Sequence, residues 1–237
     1  VFINGIPMIL FELKNAANED TTITNAYNQI QNYMLDIPKL FWYNAFNVIS
    51  DGLSTKVGTI TSDFTRYMAW KSENGERPDE GSIDFYTTML NGMFPKERLL
   101  DIIRNFIVYQ SINGKTVKIL AGYHQYFAVR KAIESTKHAT VTDGKGGVFW
   151  HTQGSGKSLS MVFYAHLLQE ALESPTIVVI TDRNDLDDQL YGQFAKCKDF
   201  LRQEPVHATC RKLTETSGKN DVGLKDWLDG RQANGII

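Results

Sequence analysis

The chain opens on two apolar runs, Val1-Phe2-Ile3 and Ile6-Pro7-Met8-Ile9-Leu10-Phe11, separated by Asn4-Gly5. Asn-Gly accepts the positive φ values of a tight turn, so this pattern predicts a hairpin. The second run continues into Glu12-Leu13-Lys14, and a mostly polar loop follows over 15–22. Residues 25–34 have helical character, while 40–43 and 45–49 are apolar and predict strands. Ser50-Asp51-Gly52 predicts a turn, 57–60 a short strand, and Arg77-Pro78-Asp79-Glu80-Gly81 a surface loop. Over 96–109 the apolar residues Leu99, Leu100, Ile103, Phe106 and Ile107 recur at helical spacing, predicting one helix. Residues 111–115 read as a boundary, and 118–133 as the helix that opens a second unit.

The later pattern is simpler. Gly147-Val148-Phe149-Trp150 is a short apolar run, 159–172 is helix-like, and Thr176-Ile177-Val178-Val179-Ile180 is apolar again. That order is strand, loop, helix, strand, the signature of an α/β unit with a parallel sheet. The division expected is therefore 1–112 and 113–237, with a short linker and no internal repeat. Val1-Phe2-Ile3 begins inside a strand pattern and Gly235-Ile236-Ile237 stops as another apolar run starts, which predicts an internal piece of a longer protein.

Composition changes this picture little. The 237 residues suffice for two modest cores, and 42% hydrophobic with 22% charged residues is ordinary for a globular protein. A net charge of −2 announces no basic field, so any nucleic-acid contact needs a local groove or other subunits. Cys197 and Cys210 have no metal-ligand spacing and predict free thiols in a reducing cytoplasm. No apolar run approaches a membrane span, and the start reads as strand rather than signal peptide.

The candidate chemistry concentrates in His151-Thr152-Gln153-Gly154-Ser155-Gly156-Lys157-Ser158, between the apolar run and the helix. Glycines let backbone N–H groups approach a phosphate, and the helix N-terminus adds donors and a favourable dipole. Lys157 would place its charge on the β/γ-phosphates, and the Ser158 hydroxyl could hold Mg²⁺. The strict pattern has glycine where His151 stands. A Gly-x-Gly-Lys-Ser match arises by chance in roughly one such chain in a hundred, and its flanks lower that further.

A second candidate lies in the first unit. On a strand, residues i and i+2 share a face, so Glu12 and Lys14 project together. A carboxylate can ligate a divalent metal, and a neighbouring lysine can orient water and neutralise charge on a scissile phosphate. The bland reading is a solvated strand edge. Gln29 and Tyr33 fall at i and i+4, on one helix face, as an accessory pair or as plain surface.

These segments together resemble the restriction (motor and endonuclease) subunit of type I restriction–modification enzymes. The resemblance rests on 2–15 and 25–33, where a PD-(D/E)xK nuclease core is followed by a Q-x-x-x-Y helix. It implies that Glu12 is the metal-binding carboxylate, Lys14 the catalytic lysine, and Gln29 and Tyr33 the accessory pair. It continues into a partial RecA-like, superfamily-two helicase motor domain with a phosphate loop. There Gln125, in Tyr123-His124-Gln125-Tyr126, would read adenine, and Thr152, Gly154, Ser155, Gly156, Lys157 and Ser158 would hold ATP and Mg²⁺. His151 fits this family's form of the loop. Asp182 and Arg183, in Thr181-Asp182-Arg183-Asn184-Asp185-Leu186, would form the element facing DNA; the plain alternative is a helix cap by Asp182 or Asn184. The implied partners are double-stranded DNA and the modification (methyltransferase) and specificity subunits, in a bacterial or archaeal cytoplasm. The family's upstream metal-binding aspartate, its Asp-Glu motor box and its second motor lobe are expected outside this chain, so the chain alone is expected to be inactive. Two other readings stay open: a kinase or signalling P-loop NTPase, and an ATP-binding scaffold with a degenerate, non-cutting nuclease-like domain.

Overall fold

The structure, a computed structural model, describes residues 1–15, 22–76, 85–208, 228–229 and 235–237. The expected surface loop at 77–81, Cys210 and most of the polar loop after Lys14 lie outside the described residues. The chain is mixed α/β, in two compact units, Val1–Ala128 and Val129–Ile237.

The first unit begins with the hairpin β1 (Phe2–Ile3) and β2 (Ile6–Pro7), joined through Asn4 at φ 50° and Gly5 at φ 79°. Past Met8 the chain enters β3 (Ile9–Leu13), which pairs in parallel with β4 (Phe46–Ser50); β4 pairs antiparallel with β5 (Thr55–Gly58). A parallel neighbour requires a crossover, and α1 (Ile23–Asp36) is that crossover. Leu10 and Glu12 share one face of β3, and the register places Glu12 beside Ile49. On that face Ala26, Ile30, Phe41, Ile49 and Tyr67 form a buried core, with Leu10, Tyr27 and Tyr33 packed against it. Burying an Ile such as Ile30, which is fully covered, contributes about 2–3 kcal/mol. The other face carries Phe11 and Phe46, whose rings meet Phe94 at 5.3 and 6.1 Å.

Several elements differ from the sequence pattern. The run at 40–43 is no strand: Pro38 opens a 3₁₀ turn, Pro38–Phe41, which buries Phe41 and leaves Trp42 and Tyr43 exposed. The helix expected over 96–109 ends as α3 (Lys96–Asn105), after α2 (Phe85–Met93). Ile107 and Val108 instead start β6 (Ile107–Ile112), paired antiparallel with β7 (Lys115–Leu120), because β-branched Ile107, Val108, Val117 and Ile119 fit a pleated surface. Residues 111–115, expected to separate two units, turn that hairpin through Asn113 and Gly114, at φ 51° and 73°. The helix expected over 118–133 is consequently displaced to α4 (Tyr123–Thr140), beyond Gly122.

Lys118 ties the hairpin down. Thr59 and Thr61 hydroxyls bond its carbonyl at 2.7 and 3.0 Å, and its amide donates to Thr61 Oγ1 at 2.8 Å. Its side chain is buried and its amine donates to the Asn44 carbonyl. Burial pushes the Lys118 amine down to about 8 from 10.5. Below pH 8 the amine is charged in both folded and unfolded chains, and the folded one bears the desolvation. Between about 8 and 10.5 the unfolded chain binds a proton that the folded chain does not, so stability rises with pH. Lys118→Met is expected to remove a rise of about 3 kcal/mol, read as the pH dependence of the urea-unfolding difference between variant and wild type. Equal pH dependence in both would show that the amine is not desolvated.

In the second unit α5 (Lys157–Ala171) buries Val162, Phe163, Ala165, Leu167 and Leu168, and α6 (Asn184–Ala195) and α7 (Lys198–Leu201) pack against it. The helix expected over 159–172 is therefore present. The expected strand at 147–150 is not: Val148 and Trp150 are 96% and 77% exposed. A strand needs a neighbour to take its N–H and C=O groups, and among the described residues none lies beside it. The 176–180 run forms only β8 (Thr176–Ile177), parallel to β9 (Gly235–Ile236). No helix among the described residues is long and apolar enough to cross a membrane.

Candidate functional site

The first unit's chemical residues gather at the C-terminal end of β3. Lys14 donates to Glu12 Oε1 at 2.7 Å, with both side chains largely covered (22% and 14% exposed). The Lys14 amide continues the parallel ladder by bonding the Ser50 carbonyl at 2.7 Å, which fixes the start of the lysine side chain. Glu12 stands on the sheet face that α1 covers, and α1 carries both Gln29 and Tyr33, half-buried. The same row across the sheet, Glu12–Ile49–Lys56, brings in a cation that sequence reasoning missed; the Lys56 amine lies 4.6 Å from the Phe64 ring centroid. Only strand register reveals it. Asp51 was also missed as a fixing group: its Oδ2 accepts from the Ile23 amide at 3.0 Å, pinning the α1 N-terminus to the end of β4. Among the described residues no three His, Cys, Asp or Glu side chains gather as a metal site. Glu12 could supply one carboxylate ligand to a divalent ion.

Gln125 is buried, and its Oε1 accepts from the Gly122 amide at 2.9 Å at the start of α4.

The phosphate-loop residues are brought together in the second unit. Gly154 and Gly156 have φ of 79° and 78°, a region that L side chains rarely adopt. A Cβ added at Gly154 would meet nothing within 4 Å, so the loop faces open space. Gly156 caps α5, its carbonyl accepting from Leu159 and Ser160 amides at 3.0 Å. The next residue, Lys157, turns its amine back across the loop and donates to the His151 and Thr152 carbonyls, both at 2.9 Å. Ser158 follows in the first turn of α5, half-buried, and within the loop the Ser155 amide donates to the Thr152 carbonyl at 3.4 Å. Open space over Gly154 beside a helix N-terminus, with the Lys157 ammonium held on two loop carbonyls, could admit a polyphosphate, and the Ser158 hydroxyl could take its cation.

Asp182 and Arg183 are exposed, and Arg183 is the cap residue of α6, with no side-chain cap from Asp182 or Asn184. Instead Asp187, one turn in, accepts from the Thr181 hydroxyl at 3.0 Å. Its other oxygen lies 2.6 Å from His207 Nε2. These two residues are twenty positions apart, and no local sequence signal pairs them.

Residues 1–66 match the family described as type I restriction enzyme R protein N terminus, and 124–224 match SWI2/SNF2 ATPase. The chain is 44% identical, over 94% of its length, to the type I restriction enzyme HindI endonuclease subunit of Haemophilus influenzae. It is 37% identical, over 92%, to a Methanocaldococcus jannaschii protein provisionally named type I restriction enzyme MjaIXP endonuclease subunit. Identity is 28% over 83% with the SsaAORF53P endonuclease subunit of Staphylococcus saprophyticus. The chain spans only 22%, 23% and 20% of those three relatives. Over that fifth of their length, the chain belongs to the family of type I restriction enzyme endonuclease subunits.

Proposed function

We propose that this chain is part of an ATP-dependent DNA translocase and endonuclease, which draws unmodified duplex DNA past a stationary complex and cuts it away from the recognition site. The observation that carries the reading is the Lys157 amine laid across the loop carbonyls at the N-terminus of α5. On nucleotide binding that amine exchanges His151 and Thr152 carbonyls for β/γ-phosphate oxygens, while the Gly154–Gly156 amides hold the phosphates. Water attacks the γ-phosphorus, ADP leaves, and Lys157 with the amides meets the charge that moves onto the bridging oxygen. Ser158 would hold a magnesium ion, which would supply further charge neutralisation there. Gln125 is proposed to recognise adenine, and Asp182 and Arg183 to face the DNA.

In the first unit, within a PD-(D/E)xK fold, Glu12 is proposed to hold a divalent ion and Lys14 to orient the attacking water and meet charge on the scissile phosphate. Gln29 and Tyr33 support them from α1. The partners are duplex DNA and the modification and specificity subunits, in the cytoplasm of a bacterium or archaeon. The chain by itself is proposed to be inactive in both reactions.

The test is phosphate release by the complete subunit assembled with its partners. A translocase hydrolyses ATP rapidly only with unmodified duplex DNA. A kinase or signalling NTPase turns over without DNA, and a scaffold binds ATP without hydrolysing it; either result overturns the proposal.

A further inference from the structure

Three segments of the second unit converge on one carboxylate. Thr181, where the 176–180 run ends, bonds Asp187 Oδ1 at 3.0 Å. His207, from the segment after α7, bonds Asp187 Oδ2 at 2.6 Å, and its ring stacks on Tyr191 at 4.8 Å and 17°. That segment is anchored on its far side too: the Val206 amide donates to the Ile236 carbonyl at 2.8 Å, and Ile236 belongs to the strand paired with β8. The Val179 amide bonds the Ile237 carbonyl at 2.8 Å, which closes the circuit. Inside it lies the exposed corner Asp182-Arg183, whose own side chains make no cap to α6. The corner is thus held from behind, by Asp187, rather than by its own side chains.

We infer that Asp187 and His207 form a latch that positions the Asp182-Arg183 corner for DNA, and that protonation of His207 tightens it. The DNA-facing part rests on the function proposed above. A carboxylate accepts, so Nε2 carries a proton even in the neutral ring; a second proton turns the bond into an ion pair. The ring faces Asp187 and Tyr191 from α6, and on its own segment Glu204 is engaged with Lys198 at 3.7 Å. The His207 hydrogen bond, with Thr181 adding to it, holds the Asp187 carboxyl below the usual carboxylate range, as a latched pair requires. Asp187 and His207 are positioning residues in this proposal, acting through the corner rather than on the reacting groups.

The first measurement is the solvent-exchange rate of the His207 Nε2 proton, read by NMR in the 237-residue chain. In Asp187→Asn that proton, no longer held by a carboxylate, is expected to exchange faster; an unchanged rate overturns the latch. The second is duplex-DNA affinity of the complete assembly between about pH 6 and 8, the range in which histidine titrates. Wild type is expected to bind about fivefold tighter at the lower pH, relative to His207→Gln, which keeps a donor and cannot become charged. Nucleotide affinity is expected to be equal in both, since Lys157 is untouched. Arg183→Ala separates the two layers. If it weakens DNA binding while His207→Gln and Asp187→Asn do not, the latch is wrong and the DNA-facing corner stands. If Arg183→Ala has no effect, the corner's assignment is wrong, and the inference that the latch serves DNA falls with it.

Discussion

Lys157→Ala, in the complete subunit assembled with its partners, is expected to lower DNA-stimulated ATP hydrolysis by about 10²- to 10³-fold or more, as loss of one charged donor to a transferring phosphoryl group does. The fold has little stake in this residue. Its amine bonds two loop carbonyls at an exposed position, so water replaces it there and the thermal midpoint is expected to hold within a degree or two. Binding and chemistry separate as well. The Gly154 and Gly156 backbone keeps its amides in the variant, so a fluorescent ATP analogue is expected to bind more weakly while its hydrolysis all but stops. On the proposed function, in which DNA is moved before it is cut, DNA cleavage is expected to disappear with hydrolysis. Phosphate release measured with and without unmodified duplex decides it. A variant that hydrolyses ATP at the wild-type rate removes the phosphate-loop reading.

What could be read from the residues followed from how local the cause was. The phosphate loop is eight consecutive residues whose backbone needs glycine at φ near 79° and 78°, so composition and conformation coincide. Asn4-Gly5 is equally local, and its hairpin formed. Asn113-Gly114 carries the same turn chemistry, yet its hairpin was hidden because the apolar residues of α3 and β6 run on at helical spacing. Only pairing with Val117 and Ile119, across the turn, makes Ile107 and Val108 a strand. The 147–150 run has strand composition, but composition supplies no hydrogen-bonding neighbour, and Trp150 stands exposed. In the candidate sites, the Glu12–Lys14 pairing was legible from a period of two. The alignment of Lys56 with Glu12, and the meeting of Asp187 with His207, depend on register and on packing between distant segments, which no window of sequence contains.

Glu12→Gln and Lys14→Ala are each expected to abolish DNA cleavage by the complete assembly, by about 10²-fold or more, while leaving DNA-stimulated ATP hydrolysis at the wild-type rate. Stability arguments do not account for such a loss. The pair at 2.7 Å sits at a strand end, largely covered, and contributes about 1.5–3 kcal/mol there, short of what would unfold the unit. Glu12→Gln keeps size and hydrogen bonding but loses the charge an ion requires, so a cleavage defect in that variant points to metal ligation rather than packing. Lys14→Ala removes the amine while β3 and its Ser50 bond persist through the backbone. Tyr33→Phe is the milder probe of α1: the ring packs against the core around Ile30 and Ile49, so only the hydroxyl is removed. The measurement is linearisation of a circular unmodified duplex, run beside phosphate release in the same tubes. If both variants cut normally, Glu12 and Lys14 are an ordinary strand-end ion pair and the nuclease lies elsewhere in the subunit. If neither the variants nor the wild type cuts while all hydrolyse ATP, the first unit is a degenerate, nuclease-like scaffold. If only the variants fail, cutting and moving are separate chemistries carried by one chain: a carboxylate and an amine at the end of β3, and an amine at the start of α5.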